Sequence, residues 1–295
     1  SPDGKERELM SMGYRNPVDF GLNRHGEMFV YDADMEYDIG SPWYRPSRVN
    51  HIVSGADYGW RHGTGKWPEY FTDTLPATLN IGLGSPTGVS NGVGAKFPKK
   101  YQNAIYISDW TYGTMSAMHL TANGSSYTAE REEFVASSKL RMTDSAINCI
   151  DGAMYFTVGG RGGQSALYRV TYTGKESTQS VKAQSPHAAV RKLRHELEVL
   201  HKPQAGAVVK AWEHLGHTDR HIRWAARVSI EHQLVTAISQ HAECVFAGAR
   251  CGQLAPPGDG CRRGRVSRCL HGCTDEQLFA QIKRRPAKAF VSIIG

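Results

Sequence analysis

Four acids stand at every second position in "YDADMEYD": Asp32, Asp34, Glu36 and Asp38. On an extended strand they share one face. Their carboxylates then lie about 7 Å apart and repel unless a cation answers them. Calcium is one answer, since it takes six to eight oxygen ligands, often carboxylates mixed with backbone carbonyls in a loop. Arg45 and Arg48 follow closely and supply a second answer without metal. A plain solvated face is the third reading. His217 and His221, at i and i+4, have the spacing of a metal pair, but no third ligand accompanies them and an exposed helix accounts for both. Cys261, Cys269 and Cys273 match neither CxxC nor CxxCH, so the chain has no haem-attachment motif.

These residues must be positioned by the elements around them. Residues 13–172 read as β throughout. Short aromatic and β-branched runs such as "MFVYDA", "AIYISDW", "AMYFTVGG" and "ALYRVTY" are separated by Gly, Asn, Asp and Pro turns. Three phrases share a grammar: "NRHGEMFVYD" (23–32), "KYQNAIYISD" (100–109) and "CIDGAMYFTV" (149–158). The second and third begin about 49 residues apart, the scale of a propeller blade. The expected fold is therefore a partial β-propeller of about three to four blades over residues 1–174. "GGRGG" (159–163) follows a strand with no helix after it, so it reads as an inter-blade loop at the ligand-facing rim and not a phosphate cradle.

Polar, aperiodic residues 175–187 read as a linker. From 188 to 240 apolar residues recur at helical spacing, Leu193, Leu197 and Leu200 and then Ile222, Ala225 and Ala226, as in a HEAT-like repeat. Thr218 and Asp219 are N-cap candidates for the last helix. Residues 241–295 form an irregular tail rich in Arg, Gly, Cys and Pro, the composition of GC-rich coding DNA read out of frame. Residues 1–178 carry 17 basic and 19 acidic side chains and the rest carry 18 and 9, so the net charge of +7 belongs to the C-terminal part. That basic part lacks the interleaved aromatics of a nucleic-acid surface, and no nucleic-acid partner is expected. No run of about 18 apolar residues exists to span a bilayer. The opening "SPDGKERELM" has no initiator Met and reads as the interior of a longer chain, with any signal peptide upstream.

"GYRNPVDFGLNRHGEMFVYDADMEYD" with "RVNHIVSGADYGWRHGTG" resembles the glucose/sorbosone dehydrogenase family of quinoprotein β-propellers. The phrases Gly13-Tyr14-Arg15-Asn16-Pro17, Asn50 and Gly55-Ala56-Asp57-Tyr58-Gly59-Trp60 carry the likeness. The wording of residues 10–235 is similar to planctomycete-type membrane-bound dehydrogenases in which a propeller joins helical repeats and a haem-binding domain. The resemblance implies pyrroloquinoline quinone (PQQ) and Ca²⁺ as cofactors, a sugar or alcohol substrate, and a periplasmic or secreted location. It also implies a c-type cytochrome domain, absent from this chain, as electron acceptor.

PQQ is a flat tricarboxylate that needs Arg or Lys for its carboxylates and polar contacts to its quinone oxygens. Arg15 and Asn16 match the family's cofactor-contacting pair, and Arg141 falls near another cofactor Arg. The family's next residue, Gln, is Val18 here. Its catalytic His belongs to a blade outside this chain, so no catalytic residue is assigned. Three or four blades are too few for a usual six-bladed ring, and the chain alone is expected to be inactive. The alternative function is a propeller-solenoid module that binds carbohydrate or protein without redox chemistry.

Overall fold

The computed structural model describes residues 1–33, 45–62, 65–182 and 185–246. The chain enters through β1 (Ser11–Met12) and runs into a meander of β2 (Phe20–Leu22), β3 (Met28–Asp32) and β4 (Ser47–Ile52). An excursion follows, containing β5 (Ala56–Asp57), β6 (Trp60–Arg61) and β7 (Gly65–Lys66), in which β5 pairs in parallel with β1. The chain then returns as β8 (Leu79–Gly82) to complete a four-stranded antiparallel sheet, β2-β3-β4-β8.

A second sheet follows at once: β9 (Pro86–Asn91), one helical turn α1 (Lys99–Gln102), β10 (Ile105–Asp109), β11 (Thr114–Asn123) and β12 (Ser126–Ala136). A third has three strands, β13 (Met142–Ile147), β14 (Met154–Gly160) and β15 (Gly163–Val170). The repeated phrases of the sequence are the second strands β3, β10 and β14. The sheets stay separate and, among the described residues, none closes into a barrel.

Period-two alternation explains the stacking of the sheets. Ile105 and Ile107 of β10 face the first sheet and join Phe29, Tyr31, Val49, Val89 and Met118. Tyr106, between them, faces the third sheet with Met115, Met142, Met154 and Phe156. A strand buried on both faces reads as the continuous apolar run "AIYI". The first strands of the three meanders lie side by side: Thr87 Oγ1 donates to the Met142 carbonyl at 2.9 Å, and Ser90 and Ser145 hydroxyls meet at 2.6 Å. Gly21 lies so close to β9 that a Cβ there would stand 3.0 Å from Val89. Successive meanders stacked through their first strands are arranged as propeller blades are.

Residues 171–182 are held along the sheets. Gln102 donates to the carbonyls of Thr178 and Gln179 and accepts from Val181 N–H, and Arg24 donates to Val181 O. Four helices follow: α2 (Ala188–Glu198), α3 (Ala207–Trp212), α4 (Arg220–Glu231) and α5 (Val235–Phe246), which runs through the 240/241 boundary. Leu197, Leu200, Ala211, Ile222, Ala225 and Ile230 form their own core. Asp219 caps α4, accepting from His221 and Ile222 N–H.

The helices grip the sheets at defined points. Trp224 and Val228 pack on Val53, Tyr58 and Leu75, and Trp224 Nε1 donates to Gly55 O. At the β11–β12 turn, Gly124 N–H donates to His187 and Ser125 N–H to Asp219, while the Ser125 carbonyl accepts from Arg194. No described helix is long and apolar enough to cross a membrane.

Candidate functional site

In each sheet the first strand starts, and the second ends, at the same edge of the molecule. That edge collects the loops 13–19, 83–85, 110–113, 137–141 and 160–163. Asp32 stands there at the end of β3, fully buried. Its Oδ1 accepts from the N–H groups of Arg15 (2.9 Å) and Asn16 (3.0 Å). Its Oδ2 accepts from Arg48 Nε and Nη2, each at 3.3 Å, and Lys66 Nζ lies 3.6 Å away. Arg48 also donates to Gly13 O, and Lys66 to Ala33 O and Pro46 O. Gly13, at φ +79°, approaches the excursion so closely that a Cβ would stand 2.3 Å from Asp57 Oδ1. The Gly-Tyr-Arg-Asn turn is thus locked from both sides.

This answers the question of the four acids for Asp32 and corrects the calcium expectation there. Both oxygens are taken by four N–H donors and a second cation, an arrangement that repels a metal. Arg48 is the arginine that answers it, and Arg45 is exposed. Asp34, Glu36 and Asp38 lie outside the described residues, as do Cys261, Cys269 and Cys273. Among the described residues no three His, Cys, Asp or Glu side chains gather to hold a metal.

The second sheet repeats the device. Asp109 ends β10 as Asp32 ends β3, and its Oδ2 accepts from Ser85 N–H in the loop entering β9 (2.6 Å) while Oδ1 accepts from Tyr112 N–H (2.7 Å). Burial raises its pKa against those backbone hydrogen bonds. The third sheet has Val158 at the equivalent place, and there backbone does the work: Gly159 N–H donates to Arg141 O.

Trp110, directly after Asp109, ties the second and third sheets together. Its Nε1 donates to Gly159 O at 2.8 Å. The Arg141 guanidinium lies 4.3 Å from its ring centroid and that of Arg161 4.9 Å, both within cation–π range. Arg161, the centre of "GGRGG", has φ +46°, a conformation costly for a residue with a side chain. The flanking glycines make room, since a Cβ at Gly160 would lie 3.3 Å from Trp110 Nε1. Both arginines are exposed, so the edge presents an aromatic ring and two cations to solvent.

Of the expected site residues, Asp32 is brought against the backbone of Arg15 and Asn16, and Arg141 against Trp110. Val18 is 65 % exposed and offers no amide. His221 is not on an exposed helix face: its side chain is only 13 % exposed and its ring lies 6.2 Å from that of His51. Trp110, Lys66 and Asp109 were not singled out by type or spacing, whereas Arg161 lies in the "GGRGG" loop read at the ligand-facing rim. The signal for Asp109 and Trp110 was present, because the repeated phrase aligns Asp109 with Asp32.

The chain is similar to sugar dehydrogenases of known structure. One is an oxidoreductase described as a glucose dehydrogenase from Thermus thermophilus, 19% identical, with a TM-score of 0.44, matching 57% of this chain and 50% of its own. Another is the PQQ-bound aldose sugar dehydrogenase of Streptomyces coelicolor, 14% identical with a TM-score of 0.40 over 55% of this chain and 44% of its own. A further glucose dehydrogenase is 18% identical with a TM-score of 0.45 over 58% and 49%. The chain thus spans about half the length of each. No family model and no curated protein matches it.

Proposed function

We propose that this edge holds PQQ and that the chain is part of an extracytoplasmic quinoprotein that oxidises a sugar or related alcohol. The observation that carries the reading is the Trp110 ring with the Arg141 and Arg161 guanidiniums, on the same edge as the locked Arg15–Asn16 turn. An indole face suits a flat conjugated ring, and the guanidiniums suit its carboxylates through paired N–H donors. Bound quinone would supply the two-electron acceptor. This chain's residues would orient it: Asp32, Arg48 and Lys66 fix the turn carrying Arg15, and Gly159 fixes the indole. The described residues offer no ligand set for Ca²⁺. We read the four helices as HEAT-like and a c-type cytochrome domain as the electron acceptor, both on the sequence resemblance.

A second reading, a non-catalytic binding module, is favoured by Val18, where the resemblance expects an amide. Titrating the protein with PQQ, with and without Ca²⁺, tests the first through quenching of Trp110 fluorescence. Arg161→Ala and Arg141→Ala are expected to weaken binding about ten-fold each, the value of a lost charge-assisted contact. Quenching that is unchanged in Trp110→Phe, or no binding at all, overturns it. Dye reduction with a sugar panel then separates dehydrogenase from binding module.

A further inference from the structure

The joint between helices and sheets collects five of the chain's 13 histidines, His51, His187, His195, His201 and His221. Residues 86–170, the second and third sheets, hold only His119. That ring meets Glu132 at the surface, 2.7 Å away. At the joint the rings of His51, His201 and His221 are enclosed, and burial opposes their charged forms. His187 Nδ1 accepts from Gly124 N–H at 3.0 Å. His201 Nε2 faces Ala225 O at 3.0 Å, so it carries the ring's proton and Nδ1 accepts from Ser54 Oγ at 2.9 Å. The other group facing His201 is the stacked ring of His232. His51, wholly inside, donates from Nε2 to Glu27 and accepts at Nδ1 from Ser126.

The surrounding charges leave little room for more cations. Glu27, Glu198 and Asp219 stand against Arg191, Arg194 and Arg220, an even balance before any ring is charged. His195 sits between the opposed signs, 3.1 Å from Glu27 and 3.0 Å from Arg194. His221 has Asp219 at 3.9 Å, with His51, Arg194 and Arg220 acting against its charged form. The two cores between the sheets contain no residue of α2–α5, so the sheets have stabilising contacts of their own.

We propose that His51, His201 and His221 form an acid-released latch: on acidification the helical segment lets go of the sheets before the sheets unfold. Burial holds His201 down to about 4 and His221, helped by the neighbouring His51, to about 3. The released state binds protons near the ordinary value of 6.5, so docking strength is full above that pH and declines as pH falls towards 4.

Hydrogen exchange of the whole chain at pH 7, 5 and 4, corrected for intrinsic rates, tests the latch. Protection of Gly124, Ser125 and α4 is expected to fall about ten-fold or more by pH 4, while β10 and β14 keep theirs. Simultaneous loss everywhere, or no loss at the joint, overturns the proposal. His201→Gln with His221→Gln keeps hydrogen-bonding groups but cannot titrate, and is expected to move release to lower pH. Release of a folded variant at the wild-type pH also overturns it, and the wild-type exchange pattern decides if the variant does not fold.

Discussion

Glu27 and Asp32 flank one five-residue strand, β3, and each is a buried carboxylate held by cations. Their partners differ in where they come from. Asp32 is answered within its own sheet and excursion, by Arg48, Lys66 and the turn 17 residues before it. Glu27 has His51 Nε2 of its own sheet at 2.8 Å, but it also reaches out of the sheets, to Arg194 Nη2 at 2.6 Å and His195 at 3.1 Å. One carboxylate therefore shapes a loop at the candidate cofactor edge, and the other fastens α2 to the opposite edge. Burial pushes the Glu27 carboxyl up, but the His51 hydrogen bond and the Arg194 charge outweigh it and bring it down to about 2. The same functional group is a local brace at one end and a joint between segments at the other.

The largest way to break this contrast is Glu27→Gln. It removes the counter-charge that Arg194 and Arg191 share, leaving Arg194 with Glu198, and is expected to cost about 3–5 kcal/mol in urea unfolding. Proteolysis between β15 and α2 should accelerate with it, and an unchanged cutting rate would remove Glu27 from the joint. Asp32→Asn is expected to cost slightly less, about 3 kcal/mol: it removes the counter-charge shared by the buried Arg48 and Lys66, while the amide oxygen still accepts from the turn. The loss should be equal in Ca²⁺ and in chelator, and a Ca²⁺-dependent difference would restore a metal role to Asp32.

Acid sharpens the comparison further. Glu27 has a folded value below its ordinary 4.5, so its contribution is present above that pH and lost as pH falls towards about 2. Asp109 is raised, so acid favours the folded form as pH falls through its window. Melting followed from pH 5 to pH 2 should accordingly fall less steeply in Glu27→Gln than in wild type. The smallest effect belongs to Arg141→Ala, whose exposed side chain should change stability by under about 0.5 kcal/mol while weakening quinone binding. A large stability loss there would make Arg141 a structural residue and not a ligand contact.

Much of the sheet architecture was legible because it is written locally. "MFVYD" and "AIYISD" alternate at period two, and both end in the aspartate that ties the loop entering the first strand. Asp219 announced its helix through its own side chain. What was not legible was the joining of Trp110 to Arg141 and Arg161, since Trp110 comes from one sheet and the arginines from the next, linked by a backbone carbonyl that no residue type encodes. Glu27 was invisible for a similar reason: its closest charged partner lies 167 residues away in the chain. His221 was misread as exposed because helical spacing places a residue on a face but does not say what covers that face.

Hairpin tips are usually where chains accept insertions, because their polar groups face only water. The β11–β12 tip has lost that freedom. Its two turn residues give an N–H to His187, an N–H to Asp219 and a carbonyl to Arg194, three contacts with one residue of α2 and the residues that precede α2 and α4. A single added residue would misplace all three at once. Drift in loop length at Gly124–Ser125 is thereby closed to this chain, although the turn itself, a Gly at φ +59° followed by Ser, would tolerate it alone.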